Sequence, residues 1–311
     1  MFEMNQTEVT EFKLLGLQNI PIIRPVLFIF IIPIYILTLF GNLFIIALVV
    51  KVPSLNSPMY FFLTQLSLSD ILLTTTITPN LLHVIIHEGS MITVTGCITQ
   101  FYFYGFSEGT ECLLLTVMSY DRYLAICKPL HYISIMDLKL QLLLVLLCWV
   151  LSCTVVLFVV YLLCNLRFCG PHVIDHYFCD LKPIVALSCS NHTIIDISLF
   201  IAVILFVLFP FSYLLFSYIS IFITISQISS TDGKQKAFST CSSHLIVVTM
   251  YYGSIAIIYM IPSKGQSYNV NKVILLLYTM GTPLFNPIIY SLRNQEIKNA
   301  VTGIYKAARR N

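Results

Sequence analysis

Long apolar runs separated by short polar breaks recur along the whole chain. A helix needs roughly 20 apolar residues to cross a bilayer. Seven stretches reach that length: residues 26–50, 58–82, 97–123, 140–163, 197–223, 238–261 and 273–292. The first contains no charge. Charges bound most of the others: Lys139 and Arg167 flank the fourth, Asp196 precedes the fifth, Lys236 and Lys264 flank the sixth, and Lys272 and Arg293 flank the seventh. Asp70 interrupts the second, and Glu108 and Glu111 make the third the least apolar. The pattern predicts an all-α membrane protein, a seven-transmembrane helix bundle over residues 26–293. An N-terminal segment (1–25) precedes it and a polar, basic segment (294–311) follows. In the latter, Ile297, Val301, Ile304 and Tyr305 recur at helical spacing, as in a short amphipathic helix lying on the inner leaflet.

Composition agrees with a bilayer as solvent. The 311 residues are 58% hydrophobic and 10% charged, against about 45–50% and about 25% in soluble domains. Mean hydropathy is +0.88. A formal charge of +3, without a basic cluster interleaved with aromatics, leaves nucleic-acid binding unsupported.

The chain starts with polar and acidic residues, Glu3, Asn5, Gln6, Thr7, Glu8 and Glu11. A cleaved signal would show a basic head and a shorter apolar run. The first span is therefore expected to be a retained signal-anchor with the N-terminus outside. Asn5-Gln-Thr7 is then an N-glycosylation acceptor in the right compartment. Seven spans place the C-terminus inside, and eleven of the 17 Lys and Arg fall on that side, as the positive-inside rule requires. The longest outer loop covers about 164–196.

Ten cysteines divide by this topology. Cys112, Cys127, Cys148, Cys153 and Cys241 lie in spans or at the cytoplasmic edge and should be reduced. Cys97 sits at the outer end of the third span, and Cys164, Cys169, Cys179 and Cys189 lie in or beside the outer loop, where disulfides persist. Four of these five can form two bridges, and spacing alone does not say which. A bridge from Cys97 would hold the loop over the mouth of the bundle.

Ionisable and amide groups at membrane depth are costly and mark function. Asp121 and Arg122 lie side by side in Met118-Ser-Tyr-Asp-Arg-Tyr-Leu-Ala-Ile-Cys-Lys-Pro-Leu-His-Tyr132, where the third span meets water. Asn42, Asp70, Glu111 and Asn286 stand at mid-membrane on four spans and must face inward. They read as a polar relay that could hold Na⁺ at Asp70 and Glu111, or as a structural hydrogen-bond network. Pro283 and Pro287 remove backbone donors from the seventh span and bend it.

These residues resemble one family, the vertebrate odorant receptors within the rhodopsin-like G-protein-coupled receptors, and within it the tetrapod class. The marks run the length of the chain: Gly41-Asn42; Pro58-Met-Tyr-Phe-Phe-Leu63; Leu66-Ser-Leu-Ser-Asp70; the segment ending at Tyr132; Ser217-Tyr218; Lys236-Ala-Phe-Ser-Thr-Cys-Ser-Ser-His-Leu245; and Pro283-Leu-Phe-Asn-Pro-Ile-Ile-Tyr-Ser-Leu-Arg-Asn294. The outer loop, with Cys169-Gly-Pro, Phe178-Cys-Asp180 and Leu187-Ser-Cys189, is also similar to this family. Met118-Ser-Tyr and Tyr251-Tyr252-Gly253 depart slightly from the commoner Met-Ala-Tyr and Phe-Tyr-Gly.

The resemblance implies bridges Cys97–Cys179 and Cys169–Cys189, with Cys164 free. It implies a cytoplasmic switch at Asp121, Arg122 and Tyr123 in which Arg122 leaves Asp121 on activation and turns toward Tyr218 and Tyr290. It implies partners, a small volatile organic ligand and a heterotrimeric G protein of the stimulatory, olfactory type that raises cAMP. No cofactor is implied. Expected localisation is the plasma membrane, in olfactory sensory neuron cilia.

The ligand pocket is expected in the outer half of four spans. Candidates are Tyr104, Gly105 and Glu108 on the third, Ala202, Val203 and Phe206 on the fifth, Ile255, Ala256 and Tyr259 on the sixth, and Leu276 and Thr279 on the seventh. Glu108 lies outside the family pattern. Ionised, it favours a cationic ligand such as an amine; protonated, it donates to an alcohol, ketone or acid. Rival readings find less support. A transporter would show inverted repeats, a channel would show charge rings or a filter loop, and neither Gly-x-Ser-x-Gly nor His-Glu-x-x-His suggests an enzyme. A chemosensory receptor used outside the nose fits the same residues.

Overall fold

Eleven helices and one small sheet make up the computed structural model, which describes residues 9–16, 24–169, 172–260 and 267–308. The long helices are α1 (Arg24–Lys51), α2 (Pro58–Ile86), α3 (Val94–Cys127), α5 (Leu138–Cys164), the pair α7 (Thr193–Val203) and α8 (Phe209–Gln227), α9 (Thr231–Met260) and α10 (Ser267–Arg293). Short helices α4 (Pro129–Ile135) and α6 (Leu181–Val185) sit in loops, and α11 (Gln295–Ala308) follows α10. By length and apolarity, six spans among the described residues can cross a membrane. The seventh long helix, α3, is 34 residues long, and its Glu108, Glu111, Asp121 and Arg122 lower its apolarity. Ile29, Phe30, Phe40, Leu146, Phe200, Phe209 and Phe222 point outward and stay exposed. Such a girdle suits lipid and not water.

Local chemistry sets the helix ends and bends. The Thr93 side chain accepts from the Gly96 N–H (3.0 Å) at the start of α3, and Asp137 does the same for Leu140 N–H (2.8 Å) at the start of α5; each satisfies an orphan donor of a first turn. Pro210 has no N–H to offer the carbonyl four residues back. The chain there makes one π-helical turn, Ile204–Leu208, between α7 and α8, and the free Phe206 carbonyl accepts from the Cys112 thiol of α3. Pro287 likewise leaves the Pro283 carbonyl without its helical donor. Asn42 of α1 supplies one through Nδ2 (3.0 Å). Gly41 permits that approach, since a Cβ there would stand 3.0 Å from Pro287 Cγ.

The sheet was not foreseen. β1 (Glu11–Leu14) pairs antiparallel with β2 (Ser90–Thr93) and parallel with β3 (Val173–Ile174), in the order β2-β1-β3. Phe12 and Leu14 point inward and are fully buried, while Glu11 and Lys13 face out. The N-terminal strand thus lies across one end of the bundle, below called the sheet end. The disulfide Cys97–Cys179 ties the loop carrying β3 to that end, Cys169–Cys189 closes the same loop on itself, and Cys164 is free and exposed. Asn5 lies outside the described residues.

Candidate functional site

A cavity of about 650 Å³ opens at the sheet end between α3, α5, α7, α9 and α10, under the segment 176–186. Of the ligand-binding candidates read from sequence, Tyr104, Gly105, Glu108, Ala202, Val203, Phe206 and Ile255 line it. Leu276, Thr279 and Ala256 are not on its wall. The cavity face of α10 is Asn271, Lys272, Leu275 and Tyr278, and that of α9 is Tyr251, Ile255 and Ile258. Leu276 turns instead into a cluster with Leu73, Ile77, Leu81 and Met280, and Thr279 is buried, bonding the Leu275 carbonyl at 2.9 Å. The cause is that α10 is flanked by protein on two sides, so two adjacent stripes are buried against different neighbours. The Tyr259 side chain lies outside the described residues.

Sequence reasoning also missed the cavity's polar groups other than Glu108 and Tyr104. The Tyr278 hydroxyl donates to Glu108 Oε2, and the Tyr251 hydroxyl donates to the Glu108 backbone carbonyl at 3.3 Å. Glu108 Oε1 is buried without a hydrogen-bond partner among the described residues. Toward the mouth, Lys272 Nζ donates to Asp175 Oδ1 (2.5 Å) and to the Gly16 carbonyl (3.2 Å). One lysine thereby joins α10, the outer loop and the turn after β1. Lys272 had marked only the edge of a span. Its burial depends on an acid 97 positions away, a pairing no local pattern reveals.

His176 roofs the cavity. Burial, and then the positive charge of Lys272, push its pKa from the ordinary 6.5 down to about 3. The folded protein therefore keeps it neutral, while the unfolded chain takes up a proton below 6.5. Between these values stability is expected to fall as pH falls. Thermal melts of wild type and His176→Asn from pH 7.5 to 4.5 check this: the wild-type advantage should shrink toward acid pH.

Deeper in the bundle, Asn286 Nδ2 donates to both oxygens of Asp70 (3.1 and 3.0 Å). Glu111 lies beside Asp70, near enough for the two carboxyl groups to interact, and neither of its oxygens finds another donor among the described residues. Asn42 is bound to the backbone of α1 and α10 rather than to these acids. Among the described residues no group of three His, Cys, Asp or Glu could hold a metal ion.

At the opposite end, the Arg122 guanidinium pairs with Asp121, Nε donating at 3.0 Å. The Tyr132 hydroxyl of α4 donates to the other Asp121 oxygen at 2.8 Å. Tyr218 is bonded to His244 Nδ1 (2.5 Å), and the buried Tyr290 hydroxyl has no partner among the described residues. Tyr123 turns away toward the Phe216 ring of α8, 6.2 Å between centroids. The structure thus joins Asp121 to Arg122, adds Tyr132 and His244, and leaves Tyr218 and Tyr290 unbonded to Arg122.

The family model described as olfactory receptor matches residues 31–307. Olfactory receptor 10A7 of Homo sapiens is 44% identical over 297 residues, 96% of this chain and 94% of that protein. Olfactory receptor 1 of Rattus norvegicus is 41% identical over 305 residues, 98% of this chain and 97% of that protein. The crystal structure of squid rhodopsin shares the fold, with a TM-score of 0.74 over 91% of this chain and 80% of that one, at 16% identity.

Proposed function

The chain belongs to the olfactory receptor family, and from that premise we propose that it binds small volatile organic ligands in the cavity and activates a stimulatory, olfactory-type G protein that raises cAMP. It is a multi-pass membrane protein with a seven-helix rhodopsin-like fold, a receptor and not an enzyme. The sheet end and residues 1–25 face outward, the Arg122 end and residues 294–311 face the cytoplasm, and the site of action is the ciliary plasma membrane of olfactory neurons.

One observation supports this reading above others. The cavity wall at Glu108 and the charge pair at Arg122 stand on one continuous helix, α3, about 21 Å apart at 1.5 Å per residue. Between them, Asp70, Glu111 and Asn286 join α2, α3 and α10 by polar groups, with Asn42 holding α1 to the bend of α10. Asp70 and Glu111 would hold Na⁺, Glu111 through oxygens that have no amide or hydroxyl donor among the described residues. A ligand shifts the resting balance only by its differential affinity for the two helix arrangements.

The test is ligand-dependent cAMP in cells bearing the chain and an olfactory-type G protein, with a panel of volatiles. Solute flux or current without G protein, and no cAMP response, would reject the reading. A narrower expectation concerns Tyr132. Removing its hydroxyl loosens Asp121, and one hydrogen bond is worth about 1 kcal/mol. Tyr132→Phe should raise ligand-independent cAMP by about 2- to 5-fold, measured at matched surface expression.

A further inference from the structure

Glu108 lines the cavity with a carboxyl group that has one oxygen bonded and one buried without a donor among the described residues. Oε2 accepts from the Tyr278 hydroxyl, and Oε1 is the one without a donor. An unpaired buried acceptor is costly, and a ligand N–H that reaches it removes that cost. The Tyr251 hydroxyl, donating to the backbone carbonyl of the same residue, adds a second donor dipole near the acid. The rings of Tyr104, Tyr251, Tyr278 and Phe206 share the same cavity wall. Aromatic faces around an anion are the chemistry that attracts an organic cation.

The other charges of the cavity are engaged. Lys272 is paired with Asp175, Asp180 accepts from the Leu181 N–H at 2.8 Å, and His176 is neutral. Lys182 lies exposed at the rim. An anionic ligand would meet the Glu108 carboxylate, and a ketone has no donor for Oε1.

We infer that the cavity takes a small alkylammonium ligand whose N–H groups pair with the Glu108 carboxylate within the aromatic wall. The inference rests on the receptor reading above and names its ligand class. Binding is measured without any G protein, so a silent cAMP assay and a failed inference are separate results.

The full chain, purified in lipid nanodiscs, is melted at neutral pH with hexylamine, hexanol or hexanoic acid at equal concentrations. Hexylamine should raise Tm more than the other two. In Glu108→Gln the apparent affinity for hexylamine should fall at least about tenfold, the scale of a charge-assisted hydrogen bond. Glu108→Asp should keep the preference for the amine. If Glu108→Gln does not fold, the three wild-type melts decide. Equal or larger shifts with hexanol or hexanoic acid, no shift with hexylamine, or an unchanged hexylamine affinity in a folded Glu108→Gln would each overturn the inference.

Discussion

Replacing Arg122 with Gln is expected to uncouple ligand from cAMP by a factor of about 5 to 150, the usual span of coupling between two sites. Ligand-induced stabilisation in nanodiscs should persist. The guanidinium is almost fully buried and its hydrogen bonds go to Asp121. Tyr218, His244 and Tyr290 are close enough to feel its charge. Of these, Tyr290 has a hydroxyl without a partner among the described residues, and Tyr218 is tied to His244. Arg122 can therefore exchange one set of partners for another, which is what a two-state element needs. Gln keeps a polar end but is shorter, and it loses the permanent charge and the fork of donors. It neither holds Asp121 nor reaches both tyrosines. Full cAMP response in Arg122→Gln at normal surface expression would show that the pair is a static helix-end contact.

The bundle was legible because bilayer thickness forces each crossing to write a long apolar run, and that signal is far stronger than any local propensity. The charge pair was legible for the converse reason, since apolar surroundings make Asp121 and Arg122 conspicuous. The sheet was not. β1 is four residues long, and its partners lie at 90–93 and 173–174. Alternation over Glu11-Phe-Lys-Leu14 is too short to distinguish from a loop, and the pairing is fixed by bridges between distant segments. The misplacement of Leu276 and Thr279 has a different origin. A helix enclosed by neighbours on several sides is apolar on several faces, so periodicity finds the buried stripe without saying what it faces. Lys272 failed the opposite way, as a charge read at a boundary because its acid partner was invisible along the chain. The turn at Ile204–Leu208, by contrast, had its signal in Pro210, whose missing N–H frees the Phe206 carbonyl.

The largest loss of stability is expected from removing Cys97–Cys179. The bridge spans 82 residues, for which loop-closure entropy predicts about 4.5 kcal/mol. That figure is an upper limit, because inserted helices already confine the reduced chain. A drop in Tm on the order of 10 °C follows for a chain of this size, with loss of most surface expression. The effect should reach the cavity as well. Cys179 follows His176, Tyr177 and Phe178, all buried against the bundle, and its N–H donates to Gln100 Oε1 at 2.9 Å while Gln100 Nε2 bonds the Thr76 carbonyl at 3.1 Å. Cutting the bridge therefore frees the roof that carries His176 and the Asp175–Lys272 pair. The double variant Cys97→Ser, Cys179→Ser is the proper probe, since a single change leaves a thiol that can mispair with Cys164. Cys164→Ser is the control: exposed and unpaired, it should shift stability by less than about 0.5 kcal/mol. Flow cytometry and thermal melts read both. Unchanged melting of the double variant would mean that the sheet and the Lys272 contacts hold the roof without the covalent tie, and a melt lowered equally by Cys164→Ser would place the stabilising sulfur elsewhere.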